Sequence, residues 1–263
     1  MGELKFSPYL RLIQQTGSTR HPGGFFLTDY LLGRTHLTKD SRVLDVGCGA
    51  GHTSAHIAKT YGCHVVGVDI SIEAIERAQS IYRHEQYFEQ MSFHVGDACD
   101  LHNVEGEFDV VLCESVLIFI EDKHEALEQM ASVLKPGGFL ALNELCASGD
   151  EKQQAVIDFF AQPQMGGFLT PSSVITTWFS DVVWNMIVVD EQPFDMKAQL
   201  RADWAQWANF RGLLQTLEAG FHFLLNKQAQ SDLLAVLRLA ISTRVNILEH
   251  LNLLLILAQQ TSR

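Results

Sequence analysis

Residues Val43–Ala58 read VLDVGCGAGHTSAHIA, and this stretch decides the fold. A short apolar run, Arg42–Val46, carries an acid at Asp45 and leads into three glycines at alternate positions, Gly47, Gly49 and Gly51. Helical spacing follows over Gly51–Tyr61. A buried strand that turns sharply into a helix needs backbone conformations that glycine adopts at little cost. With side chains removed from the turn, a ligand can lie directly on the backbone near a helix N-terminus.

Outward from this turn the pattern alternates. His64–Asp69 (HVVGVD) is rich in Val and predicts a second strand. Ser71 is placed to cap a helix running from Ile72 towards Tyr87. Met91–Val95 and Phe108–Cys113 predict the third and fourth strands. Asp122–Leu134 reads as a helix stopped by Lys135-Pro136-Gly137-Gly138, and Phe139–Glu144 (FLALNE) as the fifth strand. Strands alternating with helices imply βαβ units on a parallel sheet. Upstream, residues 1–40 read as a helical segment broken at His21-Pro22-Gly23-Gly24, with a helix resuming over Gly24–Arg34. Downstream, Glu151–Ala161 and Pro171–Phe179 suit helices, and Val182–Val189 has strand composition. Asp195–Phe223 and Gln228–Glu249 favour helix. The run Leu251–Ala258 (LNLLLILA) fits a helix end or a buried strand. It is read as a strand, because Val182–Val189 would otherwise have no partner.

Composition narrows the function. The chain has 263 residues, 47% hydrophobic and 19% charged, which suits a globular protein with a sizeable core. Lys and Arg number 19 against 31 Asp and Glu, a net charge of −12. No basic run offers the footprint that phosphate backbones require, so no nucleic-acid partner is expected. A cationic cofactor or a neutral small molecule suits this field better. The five cysteines (Cys48, Cys63, Cys99, Cys113 and Cys146) form no C-x-x-C pair and read as the reduced thiols of a cytoplasmic protein. MGELKFSPYL lacks the long apolar core of a signal peptide, and no apolar run approaches the roughly 18 residues of a membrane span. His52 and His56 have metal-compatible spacing, but no third ligand stands nearby and no metal is expected.

The glycine spacing bears on the ligand. A dinucleotide site wants G-x-G-x-x-G so that a pyrophosphate reaches the helix start. Here the last glycine comes one position early, and Asp45 would repel a pyrophosphate but suit an ammonium group. No phosphate-cradling G-x-x-x-x-G-K-[ST] loop is present. Asp69, ending the second strand, stands where an acid about 20 residues beyond such a turn holds ribose hydroxyls.

Five segments in order, VLDVGCGAG (43–51), VVGVDIS (65–71), GDACDL (96–101), FDVVLCESVLIFIED (108–122) and LKPGGFLALNE (134–144), resemble the class I S-adenosylmethionine-dependent methyltransferases. The nearest resemblance is to small-molecule enzymes of the methyltransferase-domain and ubiquinone/menaquinone type. It implies a Rossmann-like α/β fold with a seven-stranded sheet in the order 3-2-1-4-5-7-6, strand 7 antiparallel, and helices on both faces. Residues 1–40 would form a helical cap, 41–194 with 250–263 the cofactor domain, and 195–249 a helical insertion between strands 6 and 7. It implies S-adenosylmethionine as cofactor, S-adenosylhomocysteine as product, and direct displacement onto a small-molecule acceptor, for which alignment supplies much of the rate.

The same resemblance distributes roles. Gly47, Gly49 and Gly51, with Cys48 packed among them, would line the methionine and ribose. Asp45 would support the cofactor amino group and Asp69 the ribose. Ile70 would pack on adenine, with Asp97 and Ala98 at its edge. Glu114, Ser115 and Val116 would surround the sulfonium. Glu114 and Glu144, at strand ends, are the candidate bases. Either could instead be structural or position the cofactor. His21-Pro22-Gly23-Gly24 could be a plain turn between helices, or a flap bringing Tyr9, His21 and Phe25 to the methyl group, with His21 as a catalytic candidate. Trp178, Trp184, Trp204, Trp207, Phe210, Phe221 and Phe223 concentrate in the last third of the chain and suit an apolar or amphipathic acceptor. The same helices could equally form a homodimer face. The alternative functions are a cofactor-binding protein without turnover, or carbon methylation of lipids. A nicotinamide dehydrogenase fits the glycine spacing less well.

Overall fold

The computed structural model describes residues 6–16, 21–150, 153–179, 186–195, 226–243 and 251–261. Its strands are β1 (Arg42–Val46), β2 (His64–Asp69), β3 (Met91–Val95), β4 (Phe108–Glu114), β5 (Leu134–Ala147), β6 (Met186–Asp195) and β7 (Leu251–Gln260). They form one sheet in the order β3-β2-β1-β4-β5-β7-β6. β1 to β5 pair in parallel, and β7 runs antiparallel between β5 and β6. Order and orientation are those expected.

The helices are α1 (Pro8–Thr16), α2 (Gly24–Leu32), α3 (His52–Tyr61), α4 (Ile72–Tyr82), α5 (Lys123–Ser132), α6 (Gln153–Phe160), α7 (Ser172–Trp178) and α8 (Lys227–Thr243). On one face of the sheet, Leu27 and Leu31 of α2, Ile57 of α3, Ala78 of α4 and Phe159 of α6 share a core. On the other, Leu127 and Met130 of α5 and Ile175 of α7 share a second. β7 shows why both are needed. Leu253, Leu255 and Leu257 belong to the first core, and Leu254, Ile256 and Ala258 to the second. A helix would bury one stripe of this run. A strand covered on both faces buries every apolar residue of it, at about 1.5–3 kcal/mol for each large side chain. That resolves the ambiguity of LNLLLILA.

Element boundaries depart most from the sequence expectation in three places. α4 ends at Tyr82, well before Tyr87, because its buried positions stop at Ala78 and Arg83-His84-Glu85-Gln86 has nothing apolar to bury. β5 begins at Leu134, which pairs with Phe108 before Phe139 pairs with Val110, so Lys135–Gly138 bulges out within the strand. β6 runs on to Asp195, which is paired with Asn252, whereas residues 182–185 lie outside the described residues. α8 falls inside the expected insertion. Most of that insertion, with Trp204, Trp207, Phe210, Phe221 and Phe223, lies outside the described residues, as does Trp184.

All five cysteines are unpaired. Among the described residues no helix is long and apolar enough to cross a membrane. The site is positioned by the strand order. Between β1 and β4 the chain changes its direction of travel across the sheet, and at such a switch point a crevice opens beyond the carboxyl ends of the strands.

Candidate active site

A cleft of about 960 Å³ occupies that crevice. The sheet order lays out its lining. Asp97 and Ala98 follow β3, Asp69 and Ile70 close β2, Gly47 and Gly49 follow β1, Glu114 and Ser115 close β4, and Leu145 lies on β5. α1 supplies a roof, with Tyr9 and Leu12 facing in. That roof is fastened at three points. Tyr9 N–H donates to Gln164 O at 2.9 Å, Ser7 Oγ donates to Met165 O at 2.8 Å, and the Arg11 guanidinium grips both oxygens of Asp232 on α8 at 2.7 and 3.0 Å.

The glycine turn is held from below. Gly47 and Cys48 N–H groups donate to Val68 O at 2.7 and 3.0 Å. Gly49 N–H donates to one oxygen of Asp69 at 2.8 Å and Ser71 N–H to the other at 2.9 Å. Each oxygen of Asp69 therefore keeps a lone pair for a ligand. Burial raises the pKa of Asp69, and these two N–H bonds pull it partly back. Gly47 has φ 72°, and a β-carbon there would lie 2.2 Å from Val116 Cγ2.

Three residues expected around the cofactor do not line the cleft. Cys48 is buried with its sulfur turned towards Gly67. Gly51 faces Phe93 and Ala78 across the helix–strand packing. Asp45 is buried beneath the turn, where the Ser54 hydroxyl donates to it at 2.5 Å. Burial lifts the Asp45 carboxyl to about 7, the Ser54 bond opposing and the Glu114 charge adding to the rise.

Where β4 and β5 end, four buried polar side chains meet. Glu114 lies 2.8 Å from His21 Nε2, and the Thr28 hydroxyl donates to the Glu114 oxygens at 3.0 and 3.1 Å. Asn143 Nδ2 lies 2.9 Å from His21 Nδ1. The His21-Pro22-Gly23-Gly24 break delivers His21 here. At Gly23, with φ 92°, a β-carbon would meet Leu27 Cδ1 at 2.1 Å, so only glycine lets the chain drop so steeply into α2. Burial lowers the His21 pKa, but the charge and hydrogen bond of Glu114 more than reverse this, leaving it above the ordinary value. Both ring nitrogens of His21 are engaged within the cluster. Next to it, Ser115 holds φ 59°, a conformation costing a non-glycine residue about 1–2 kcal/mol. The Ser115 N–H donates to Asn143 O at 2.7 Å, while its buried Oγ has no hydrogen-bond partner. Strain of this kind at the mouth of a cleft is a marker of function.

Two further expectations are corrected. Glu144 does not line the cleft: it is 1% exposed and accepts from Val116 N at 3.1 Å, Leu117 N at 3.2 Å and the Cys113 thiol at 3.3 Å. It fastens the loop after β4, and burial lifts its pKa to about 7. Phe25 stacks on His56 at 4.0 Å rather than facing the cleft. His56 Nε2 lies 2.8 Å from Asp29, and His52 Nδ1 2.6 Å from the Tyr82 hydroxyl. Trp178 borders a separate shallow hollow beside Lys123. Sequence reasoning missed Thr28, Asn143 and the roof residues Phe6 and Leu12. Thr28 carried a signal, as a hydroxyl on the apolar stripe of α2 beside Leu27, Leu31 and Leu32. So did Asn143, a polar residue within the apolar run of β5.

A family model described as a methyltransferase domain matches residues 37–207, and the chain belongs to that family. An O-methyltransferase of Aspergillus sclerotiorum is 36% identical over 104 residues, covering 40% of this chain and 39% of that protein. Norajmaline N-methyltransferase of Rauvolfia serpentina is 38% identical over 99 residues, covering 38% of this chain and 34% of that one. The chain thus spans well under half the length of either relative. An S-adenosylmethionine-dependent methyltransferase from Thiobacillus denitrificans, solved with S-adenosyl-L-homocysteine, superposes with a TM-score of 0.70 at 19% identity, over 98% of this chain and 100% of that one.

Proposed function

We propose that this chain transfers the methyl group of S-adenosylmethionine to a small-molecule acceptor. The observation that carries the reading is a single cleft in which the glycine turn, Asp69 and Asp97 stand at one end and an apolar roof at the other. The residues present fit the cofactor. Asp69 keeps lone pairs for ribose hydroxyls, Ile70 offers an apolar face for a purine, and Asp97 offers an acceptor to its amino group. Gly47 and Gly49 open the backbone, and Ser115 Oγ is a buried hydroxyl in want of a partner. The acids of this end suit a cationic ligand, and no Lys or Arg lines it among the described residues to hold a pyrophosphate. The family membership and the ligand of the Thiobacillus structure support the same cofactor.

When bound, S-adenosylmethionine supplies a methyl group already activated by its sulfonium. The chain's part is then to bind, orient and exclude water, and alignment alone is worth several kcal/mol. Glu114 is the carboxylate placed to receive an acceptor proton. His21, with both nitrogens turned into the cluster, orients that carboxylate, and Thr28 and Asn143 hold the pair. Glu144 supports the loop that carries Ser115 and Val116.

The test is calorimetric titration with S-adenosylmethionine, with NAD as control, on the wild type and on Asp69→Asn. Saturable binding is expected, weakened roughly 10–100-fold in the variant by loss of a charge-assisted hydrogen bond. Preference for NAD, or no binding of either, would sink the reading.

A further inference from the structure

The acceptor half of the cleft says what it can hold. This step rests on the cofactor reading above. Beyond Ser115 the described walls include Phe6, Tyr9, Leu12, Phe119, Phe160 and Leu233, aromatic or aliphatic, with Ser7 and His21 as polar members of the lining. No Lys or Arg lines the cleft among the described residues. Two described cations close in the chain to this lining are already committed. Arg11 is closed onto Asp232. Lys123 donates to Ile120 O at 2.7 Å and lies 5.5 Å from the centre of the Phe168 ring, in the hollow outside the cleft.

A phosphate or carboxylate carried into this half would lose its water and, among the described residues, find no Lys or Arg, with His21 already closed onto Glu114. An unpaired ion in an apolar site costs several kcal/mol. The chain's net charge of −12 adds long-range repulsion. An ammonium head fares little better. The carboxylate nearest this half is Glu114, already 2.8 Å from His21. What the junction does offer is hydrogen bonding without net charge, from the partnerless Ser115 hydroxyl and the edge of the Glu114 carboxylate.

We propose that the acceptor is an uncharged molecule with an aromatic or alicyclic body and a hydroxyl head, the body under α1 and the head at Ser115 and Glu114. The described walls disfavour anion-headed acceptors by charge rather than by size.

A matched pair of probes tests this. Protein saturated with S-adenosylhomocysteine is titrated calorimetrically with 1-naphthol and with 1-naphthyl phosphate, which share one apolar body and differ in charge. The naphthol is expected to bind at least about tenfold more tightly. Leu12→Lys, which places a cation in the roof, is expected to narrow that gap by strengthening the phosphate. Equal or tighter binding of the phosphate to the wild type overturns the proposal, as does failure of both probes to bind the loaded protein. If S-adenosylhomocysteine itself does not bind, the cofactor reading fails instead, and the same pair on the free protein still decides the charge preference.

Discussion

Gly47→Ala separates what the turn needs for itself from what it leaves for a ligand. Two costs can be read from the structure. At φ 72° an alanine sits in the left-handed region, at about 1–2 kcal/mol. Its methyl would lie 2.2 Å from Val116 Cγ2 and 2.9 Å from Cγ1, far inside the 3.5–4.0 Å at which carbon atoms rest. Overpacking of this kind costs about 1–3 kcal/mol. Together Gly47→Ala should lose about 2–5 kcal/mol in urea unfolding at neutral pH. Val116→Ala removes the two closest methyls and leaves Val116 Cβ at 3.1 Å, so in that background Gly47→Ala should cost mainly the backbone share, about 1–2 kcal/mol. The two substitutions should therefore couple by about 1–3 kcal/mol, well above the 0.3–0.5 kcal/mol scatter of independent sites. Additive losses would refute the argument that the β4 loop leans on the turn, leaving only the backbone requirement.

Asp45 and Ser115 give two more predictions. The Asp45 carboxyl, carried by burial from an ordinary 3.8 to about 7, holds its proton more tightly folded than unfolded. The stability this confers is complete below about pH 4 and is lost as pH rises through 7, by about 4 kcal/mol at 1.36 kcal/mol per pH unit. Asp45→Asn should flatten that part of the pH–stability curve, and a variant whose curve runs parallel to the wild type between pH 4 and 8 contradicts the assignment. Ser115→Gly should stabilise the fold by up to about 1 kcal/mol, the strain relieved less the entropy glycine adds to the unfolded chain, while lowering turnover. Thermal unfolding and S-adenosylhomocysteine release measure the two effects, and a destabilised glycine variant would show that φ 59° stores no strain.

Most of the sheet was legible because its determinants are local. HVVGVD and MSFHV became β2 and β3 at their expected bounds, short runs between turn residues that bury Val65 and Val68, and Met91 and Phe93. The misplaced edges lie where tertiary pairing overrides local composition. Lys135-Pro136-Gly137-Gly138 reads as a stop, yet Leu134 pairs with Phe108 before it and the strand resumes at Phe139. Residues lining this end of the cleft were legible for a related reason. Gly47, Gly49, Asp69, Ile70, Asp97 and Ala98 follow three successive parallel strands, so all open onto the same edge of the sheet. What the turn does not reveal is which of its residues face outward, and Asp45, Cys48 and Gly51 turn inward.

The two glutamates show the limit most clearly. From composition alone Glu114 and Glu144 are equivalent, each an acid at the end of an apolar run. The register breaks the tie. Glu114 is paired with Asn143, not with Glu144. Successive side chains of a strand point to opposite faces, so the residue paired with Glu114 shares its face and the next one does not. Asn143 therefore reaches His21 beside Glu114, and Glu144 points to the other side, where the amides of Val116 and Leu117 take up its charge. A slip of one residue between β4 and β5 would exchange the two roles. That register depends on the bulge at Lys135–Gly138, upstream of Asn143, which no inspection of FLALNE on its own could supply.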